Sequence, residues 1–187
     1  MNTNERVIVL DIDGVACEHA KAICEWVAEQ YGVSSTADDV TTWNHNFGPV
    51  TFVQAVETCY QDGEFILKME VTPGFHVFLN KLSRIAKVVF ASGRKESQDF
   101  TRLWVRKNFG EFETFFVKRK ADIQCSYIVD DYLPEVETGV QEGKMCFLFK
   151  RPWNDNDQTK SVIRQLSRAY FVESFNEILT LLEPVYE

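Results

Sequence analysis

Five short runs of β-branched, aliphatic and aromatic residues recur along the chain, and segments with helical periodicity separate most of them. The runs are apolar throughout and do not alternate with polar residues. Strands of this kind are buried on both faces, as in a parallel sheet covered by helices on each side. The pattern therefore predicts an α/β fold with a central parallel sheet. Its strands are expected at RVIVLDI, AKVVFAS, ETFFVK, SYIVDD and MCFLF.

Capping signals support the helices between these strands. The periodic segment SQDFTRLWVRKNFG ends at Gly110, and LPEVETGVQEG ends at Gly143, which are both well placed to close a helix. Ser174 and Glu177 have the spacing of a capping box at the start of SFNEILTLLE. Each signal predicts a helix that starts or stops beside a predicted strand.

The segment from residue 18 to residue 71 breaks this alternation. It contains no convincing strand, and it offers two helical stretches, EHAKAICEWVAEQYG and TFVQAVETCYQDGEFILKM. A loop rich in Thr, Asp, Asn and aromatic residues joins them. We expect a small helical cap at residues 18–71, inserted over the end of the first strand. Residues 1–17 and 72–187 then form the α/β core.

The composition is that of one ordinary globular core with a small lid. The chain has 187 residues, of which 45% are hydrophobic and 26% charged. No apolar run approaches the roughly 18 residues of a membrane-spanning helix. The stretch MNTNERVIVL lacks the cleavage pattern of a signal peptide. These features predict a soluble, cytoplasmic protein with no membrane partner. A homodimer is compatible with the sequence, which does not fix the oligomeric state.

The charge balance points to a small substrate. The formal net charge is −8, which disfavours long nucleic acid, because proteins that grip it carry a basic face. If the substrate is an anion, we expect a cation to mediate the contact. The five scattered cysteines form no CxxC pair and fit reduced, buried thiols. The three histidines have no ligand-like spacing, which argues against zinc.

Polar residues follow four of the predicted strands. Asp11 and Asp13 leave the first strand on the same side, where two like charges repel by roughly 4 kcal/mol at about 4 Å for an effective dielectric near 20. In open parallel sheets, ligands bind at the carboxyl ends of the strands. The residues after the runs are Asp11, Asp13 and Gly14; Ser92, Gly93 and Arg94; Lys118, Arg119 and Lys120; and Asp130 and Asp131. Few hard oxygen ligands, supplemented by water and a substrate phosphate, are what Mg²⁺ prefers. The sequence therefore predicts a Mg²⁺ site at this edge.

These residues resemble the motifs of a known family. DIDGV, VVFASGR, Lys120 and YIVDD resemble, in this order, the four motifs of the haloacid dehalogenase superfamily of phosphohydrolases. The resemblance covers Val7 to about Asp131. It implies a Rossmann-like core, often with a cap inserted after the first motif, where residues 18–71 fall. Lys118 is the rival of Lys120 for the third motif. We prefer Lys120 because its spacing before Asp130 resembles the nucleotidase branch.

The resemblance implies a role for each catalytic residue. Asp11 would attack phosphorus and become an aspartyl-phosphate. Asp13 would protonate the leaving alkoxide and then deprotonate the hydrolytic water, and its neighbours can raise its pKa to suit the acid role. Ser92 and the Gly93 amide would hold phosphoryl oxygens. Lys120 would neutralise charge on the nucleophile and on the transferring group.

The same resemblance implies the metal ligands. Mg²⁺ would be held by the Asp11 carboxylate, the Asp13 backbone carbonyl and the Asp130 carboxylate. Asp131 would orient the water molecules bound to the metal.

Longer stretches resemble the 5'(3')-deoxyribonucleotidases, which implies a (deoxy)nucleoside monophosphate as the small phosphorylated substrate. These stretches are VTPGFHVFLNKLSRIAKVVFASGR, KRKADIQCSYIVDD, FLFKRPWN and FVESFNEIL. Such enzymes stack a nucleobase on cap aromatics. Trp43, Phe47 and Phe52 are candidates for this role, and packing inside the cap is the alternative for them.

Two departures leave the substrate open. His19 stands where the eukaryotic members carry a phenylalanine, and Arg94 follows Ser92-Gly93 where they lack a Gly-Arg pair. We assign both residues to substrate binding; for Arg94 a structural ion pair is the alternative. SGRKESQDFTRLWVRKNFG also resembles polynucleotide 3'-phosphatases. That activity, another small-metabolite phosphatase and a non-catalytic binding protein are the competing hypotheses.

Overall fold

A six-stranded sheet is the centre of the fold. The computed structural model describes residues 6–182, and every strand pairing within them is parallel, in the order β3-β2-β1-β4-β5-β6. The strands are β1 (Val7–Asp11), β2 (Lys87–Ser92), β3 (Thr114–Phe116), β4 (Tyr127–Asp130), β5 (Met145–Phe149) and β6 (Ala169–Val172). The predicted α/β fold with a central parallel sheet is confirmed. All five predicted strands are present.

The sixth strand is absent from the sequence-based prediction. β6 lies at the edge of the sheet, and three of its four residues are only partly buried. An edge strand is less completely buried than a central one, and AYFV is short and follows a polar, charged segment. The pattern of apolar residues alone is therefore too weak to identify β6 as a strand.

Eight α-helices accompany the sheet within residues 6–182. They are α1 (His19–Tyr31), α2 (Phe52–Cys59), α3 (Gly63–Lys68), α4 (Phe75–Leu82), α5 (Gln98–Phe109), α6 (Leu133–Gln141), α7 (Asp157–Gln165) and α8 (Phe175–Leu182), with short 3₁₀ turns at Ala37–Asp39 and Lys120–Asp122. None of these helices combines the length and the apolar character that a membrane span needs.

The predicted helix ends are present with one change of detail. Gly110 closes α5 with φ 95°, and its N–H donates to the Arg106 carbonyl at 3.0 Å. At α8 the Glu177 N–H donates to Ser174 Oγ at 3.3 Å. The Glu177 carboxylate accepts from the backbone N–H of Glu173 at 3.1 Å, one residue before the expected donor. Local sequence therefore fixes where these helices start and stop.

Side chains of each central strand divide between two apolar layers. In β1, Ile8 and Leu10 join a cluster that contains Phe75 from α4, and Val9 joins the cluster on the other face with Val136 from α6. Burying each such side chain stabilises the fold by about 1.5–3 kcal/mol. This two-sided burial explains why the strands are apolar throughout.

Most of the segment from residue 18 to residue 71 packs around its own apolar cluster, whereas Ile66 of α3 and Met69 join the core cluster that contains Phe75. Ile23 and Val27 of α1 lie against Phe52 and Ala55 of α2, and Trp153 from the loop after β5 completes the group. The second predicted helical stretch is split between α2 and α3. Asp62 accepts the Glu64 N–H at 2.8 Å and thereby begins a new helix.

The two chain crossings that lead into and out of this segment lie side by side. The Glu18 N–H donates to the Glu70 carbonyl at 3.0 Å, and the Thr72 N–H donates to the Ala16 carbonyl at 2.9 Å. Both crossings stand directly beyond the carboxyl end of β1. The helical segment is therefore connected to the core at the carboxyl-terminal edge of the sheet, where the candidate residues converge.

Candidate active site

Three buried carboxylates meet where β1 and β4 end. Leu10 and Val129 are register partners in these neighbouring strands, so the residues that follow them, Asp11 and Asp130, lie side by side. Asp131 completes the group, and one carboxylate oxygen from each of the three lies within 4.8 Å of the others. All three residues are buried. The structure thus brings together acids from two strand ends that are far apart in the sequence.

Lys120 lies between two of these acids. Its Nζ is 2.8 Å from Asp11 Oδ1 and 2.7 Å from Asp130 Oδ2. Its backbone N–H donates to Glu135 Oε2 at 2.9 Å, which holds the 3₁₀ turn in place. Burial alone would lower the pKa of Lys120, but the charges of Asp11 and Asp130 outweigh it and raise that pKa. The ammonium therefore stays charged. Lys118 is exposed and lies at the rim.

One lysine does not balance the charge of the cluster. Burial, supported by the nearby carboxylates, raises the pKa of Asp11 and of Asp131 well above the usual range. Asp131 Oδ2 is buried and has no hydrogen-bond partner within residues 6–182. An excess of buried, hard oxygen ligands with one unpartnered atom fits a small divalent cation such as Mg²⁺.

Gly14 allows this close arrangement. Its φ is +76°, and a Cβ at this position would lie 1.9 Å from Asp131 Oδ2. No side chain fits in that space, and L-residues rarely adopt that backbone conformation. The glycine after Asp13 therefore lets the first loop approach Asp131.

Asp13 is directed to different partners. It forms an ion pair with Arg94, whose Nε donates to Asp13 Oδ2 at 2.9 Å and whose side chain is 1% exposed. Tyr60 Oη donates to Asp13 Oδ1 at 2.7 Å, and the guanidinium lies 4.2 Å from the centre of the Tyr60 ring. Arg94 also donates to Thr101 Oγ1 at 2.9 Å. This placement corresponds to the structural ion pair that was the alternative for Arg94.

The direction of the Asp13 pKa shift corrects the sequence-based expectation. Burial would raise the pKa of Asp13, but the Arg94 charge and its hydrogen bonds, with help from Tyr60, lower it to about 2. The expectation that neighbours raise this pKa is therefore wrong in sign, because no sequence signal linked Arg94 to Asp13. Asp13 is ionised in this arrangement.

Ser92 and Gly93 lie at the end of β2, where Ser92 contacts Asp13 and Arg94. Ser92 ends β2 and is fully buried, and its Oγ accepts the Arg94 N–H at 3.2 Å and lies 3.4 Å from Asp13 Oδ2. Gly93 lines the same cavity as Asp11 and Lys120. Both residues stand where the sequence pattern places them, at the carboxyl end of the second strand.

An open cavity of about 730 Å³ lies between this edge and the helical segment. Its floor contains Asp11, Asp130 and Lys120, and its opposite wall contains Val53 and Val56 of α2. Trp43 and Tyr132 line it as well. Their rings meet edge to face, with centroids 5.6 Å apart. The cavity lining therefore combines ionisable groups with apolar and aromatic side chains.

The other predicted substrate-binding residues lie behind Trp43. His19 is buried and stacks on Trp43 with ring centroids 6.0 Å apart, and burial lowers its pKa to about 4. Its ring nitrogens have no hydrogen-bond partner in the part of the chain that the structure describes. Phe47 and Phe52 are also buried, in the apolar cluster of the helical segment. Of the four rings, the structure brings only Trp43 to this cavity.

Sequence reasoning missed several residues that support the site. Tyr60 is 47 residues from Asp13 and carries no local signal. Tyr132 directly follows YIVDD, and Arg151 and Asn154 follow MCFLF. The rule that residues after parallel strands converge would have found Tyr132 if it had been extended by one residue, and Arg151 if it had been extended to the fifth strand. Asn154 lies five residues beyond β5 and outside its reach.

Fold and site together define a class of protein. A parallel α/β sheet of this kind is the fold of solved haloacid dehalogenase-like hydrolases. In this chain it carries an Asp-x-Asp pair at the end of its first strand, a buried lysine, and two aspartates at the end of its fourth strand. The family model described as "5' nucleotidase, deoxy (Pyrimidine), cytosolic type C protein" matches residues 5–170. The chain belongs to this family, and it is a phosphatase of the nucleotidase type.

Solved structures share the fold at low sequence identity. A haloacid dehalogenase-like hydrolase from Streptococcus pneumoniae is 15% identical, with a TM-score of 0.66 over 96% of this chain and 99% of that chain. A hydrolase of the same class from Deinococcus radiodurans, solved with bound phosphate and sodium, is 13% identical, with a TM-score of 0.64 over 97% of each chain. A putative hydrolase from Bacillus subtilis, bound to magnesium, is 14% identical, with a TM-score of 0.60 over 95% of this chain and 98% of that chain. No curated protein sequence matches the chain significantly.

Proposed function

We propose that the chain is a Mg²⁺-dependent phosphomonoester hydrolase that acts on (deoxy)nucleoside monophosphates through an aspartyl-phosphate at Asp11. The observation that carries the proposal is the position of the Asp11 carboxylate. It lies on the floor of the cavity, against Lys120 and beside Asp130 and Asp131. In this position the Asp11 carboxylate can approach a phosphate while the positive charge of Lys120 reduces the repulsion between the two anions.

The donor set fits the metal. The Asp11 and Asp130 carboxylates and the Asp13 backbone carbonyl would hold Mg²⁺, and the unpartnered Asp131 Oδ2 would orient its water molecules. When bound, the cation shields the repulsion between the Asp11 carboxylate and the phosphate. Protein groups carry out the remaining functions, which are nucleophilic attack, phosphate binding and proton transfer.

In the first step an Asp11 oxygen forms a bond to phosphorus, and the bond from phosphorus to the ester oxygen breaks. Lys120 keeps its positive charge beside the nucleophile and offsets charge on the transferring group. Ser92 and the Gly93 amide bind phosphoryl oxygens. The leaving oxygen takes a proton from Asp13, which must separate from Arg94 to carry one.

In the second step water attacks the aspartyl-phosphate and restores the Asp11 carboxylate. Asp13, ionised as the structure holds it, accepts the proton of that water. The low pKa of Asp13 keeps the carboxylate in the ionised form that the base role requires. The acid role requires the substrate to exchange contacts with Arg94 and Tyr60.

The cavity supports a nucleotide as the substrate. Beyond the charged floor, Trp43, Val53, Val56 and Tyr132 offer apolar surface to a base. We propose that residues 18–71 act as the cap that supplies Trp43, Val53 and Val56 to this cavity. The family description names a deoxy pyrimidine 5' nucleotidase of the cytosolic type. That description supports a pyrimidine deoxynucleoside 5'-monophosphate and a cytoplasmic location.

A substrate panel tests the proposal. It contains deoxynucleoside and ribonucleoside 5'- and 3'-monophosphates, sugar phosphates and a 3'-phosphorylated oligonucleotide, each assayed for phosphate release with and without Mg²⁺. We expect the nucleoside monophosphates to be preferred and release to require Mg²⁺. Preference for the oligonucleotide would support a polynucleotide 3'-phosphatase, and preference for sugar phosphates would exclude both nucleotide hypotheses.

The variant Asp11→Asn provides the mechanistic control for this panel. It keeps the size of the side chain and removes the nucleophile, so we expect phosphate release to fall by about 10⁴-fold or more. The circular dichroism spectrum should be unchanged. Turnover close to that of the wild type would refute the assignment of Asp11.

A further inference from the structure

The loop between β5 and α7 reaches the same edge of the sheet as the acids. We call residues 150–156 the β5–α7 loop. β5 is the neighbour of β4, so this loop begins beside Asp130 and Asp131. Asn154 is buried, and the Arg151 side chain is 15% exposed. The proposed reaction uses neither residue.

Asn154 connects the ends of two strands. Its Nδ2 donates to the backbone carbonyls of Asp131 and Phe149, each at 2.8 Å. Its Oδ1 accepts the Arg151 N–H at 2.8 Å. Both N–H bonds and the oxygen of the amide are therefore used. The side chain fixes the backbone of Asp131 relative to the end of β5.

Arg151 reaches the first acid-bearing loop. Its Nε donates to the Gly14 carbonyl, and Gly14 directly follows Asp13, whose own carbonyl is a proposed metal ligand. Its Nη2 lies 3.0 Å from Glu18 Oε1 and 3.2 Å from Thr72 Oγ1. Glu18 and Thr72 stand at the two chain crossings of the helical segment. One guanidinium thus binds the first loop and both crossings.

The two side chains restrain two different loops that carry the proposed metal-binding oxygens. Asn154 restrains the backbone of the loop that carries Asp131, and Arg151 restrains the loop that carries Asp13. The backbone hydrogen bond from Arg151 to Asn154 joins the two restraints into one unit. An error of about 1 Å in such a site can lower the rate by about 10²-fold.

We propose that Arg151 and Asn154 are positioning residues that hold the Asp13–Gly14 and Asp130–Asp131 loops at the spacing Mg²⁺ requires. The inference rests on the proposed function, because it assigns the residues to that metal site. It predicts that loss of either side chain weakens the affinity for Mg²⁺ and lowers kcat, while the KM for substrate changes little.

The test compares Arg151→Met and Asn154→Ala with two matched controls. Arg168 donates to the Gly143 carbonyl on the exposed surface, and Asn108 donates to the Trp104 carbonyl within α5. Arg168→Met and Asn108→Ala therefore remove the same kinds of bond outside the site. Isothermal calorimetry with Mg²⁺ alone measures metal affinity, and the best substrate of the panel gives kcat and KM.

We expect Mg²⁺ affinity and kcat each to fall about tenfold or more in both variants, with KM within about threefold of the wild type. The controls should stay within about twofold for every quantity. Arg151→Lys keeps the charge but loses the planar fork, so it should fall between the wild type and Arg151→Met. If Arg151→Met fails to fold, Arg151→Lys and Asn154→Ala carry the test.

Two outcomes would overturn the inference, and they are distinguishable. A wild-type protein that binds Mg²⁺, with variants that bind it equally well and only melt at a lower temperature, would show a merely structural role. A wild-type protein without affinity for Mg²⁺ would overturn the proposed function together with the positioning role.

Discussion

Two aspartates that lie two positions apart on one strand end experience opposite environments. Burial, with Asp130 and Asp13 nearby, raises the pKa of Asp11, whereas Arg94 lowers the pKa of Asp13 to about 2. Each is paired with its own cation, Lys120 for Asp11 and Arg94 for Asp13. At the scale of single residues, the repulsion that the sequence implies is relieved by separating the two charges onto different partners.

The ion pair between Arg94 and Asp13 predicts a pH-dependent stability. The folded pKa of Asp13 is lowered from 3.8 to about 2, so its contribution is present above about pH 4 and is lost as the pH falls through about 2. Arg94→Met should therefore lower the free energy of unfolding by a pH-dependent part of about 2 kcal/mol near pH 6. That part should vanish near pH 2. Urea denaturation across this range measures the difference between the two proteins.

Arg102→Met serves as the control, because Arg102 forms an exposed ion pair with Asp99. Its effect should stay within a few tenths of a kcal/mol at every pH. Curves for the wild type and Arg94→Met that run parallel from pH 6 to pH 2 would contradict the prediction.

The sequence predicted the location of those site residues that stand at the end of a strand. Asp11, Ser92 and Asp130 each end a buried strand, and parallel pairing brings such ends to one edge. The partnership of Tyr60 with Asp13 depends on how α2 is oriented over that edge. Tertiary packing decides that orientation, and no local pattern encodes it.

At the scale of elements, the approach of the first loop to β4 depends on Gly14. Gly14→Ala would place a methyl group 1.9 Å from Asp131 Oδ2 at a φ of +76°. We expect a loss of about 3 kcal/mol or more in the free energy of unfolding, together with loss of Mg²⁺ binding. Urea denaturation and Mg²⁺ calorimetry measure the two effects.

Gly32→Ala is a matched control for that variant. Gly32 has φ +69° at the end of α1, and a Cβ there would meet nothing within 4 Å. It carries the backbone strain without the clash and should cost only about 1 kcal/mol, with Mg²⁺ binding unchanged. Equal losses in the two variants would show that the contact with Asp131 is unimportant.

Elements with strong local signals were predicted correctly, and those that depend on context were not. Five strands and the ends of α5 and α8 follow from apolar runs and caps. The edge strand β6 and the break between α2 and α3 were missed. The break is at Asp62, whose side chain caps α3 by accepting the Glu64 N–H. An aspartate inside a periodic segment does not by itself indicate whether the helix continues or starts again.

At the scale of the whole molecule, two parts of the chain meet at the wall of the open cavity. Trp43 belongs to residues 18–71 and Tyr132 follows Asp131, and their rings meet at 5.6 Å. Tyr132→Ala should raise the KM for a nucleoside monophosphate about tenfold, because it removes aromatic surface from the wall beside the base. The KM for a small phosphate ester without a base should stay within about twofold.

Tyr31→Ala is the control for this effect. Tyr31 is 44% exposed and packs on Trp26, whereas Tyr132 is 43% exposed and lines the cavity. We expect no change in either KM for the control. An equal rise in KM for both substrates in Tyr132→Ala would instead assign Tyr132 to phosphate binding.

The strand order also affects how the chain folds as it is synthesised. β1 carries Asp11 and is made first, yet its partners in the sheet, β2 and β4, begin only at Lys87 and Tyr127. Contacts of such long sequence separation form slowly, and an unpaired apolar strand is prone to aggregation. More than a hundred residues must therefore be synthesised after β1, which carries the proposed nucleophile, before both of its neighbouring strands are available for pairing. We therefore expect the emerging first strand to be the part of the nascent chain that most needs shielding from other apolar surfaces.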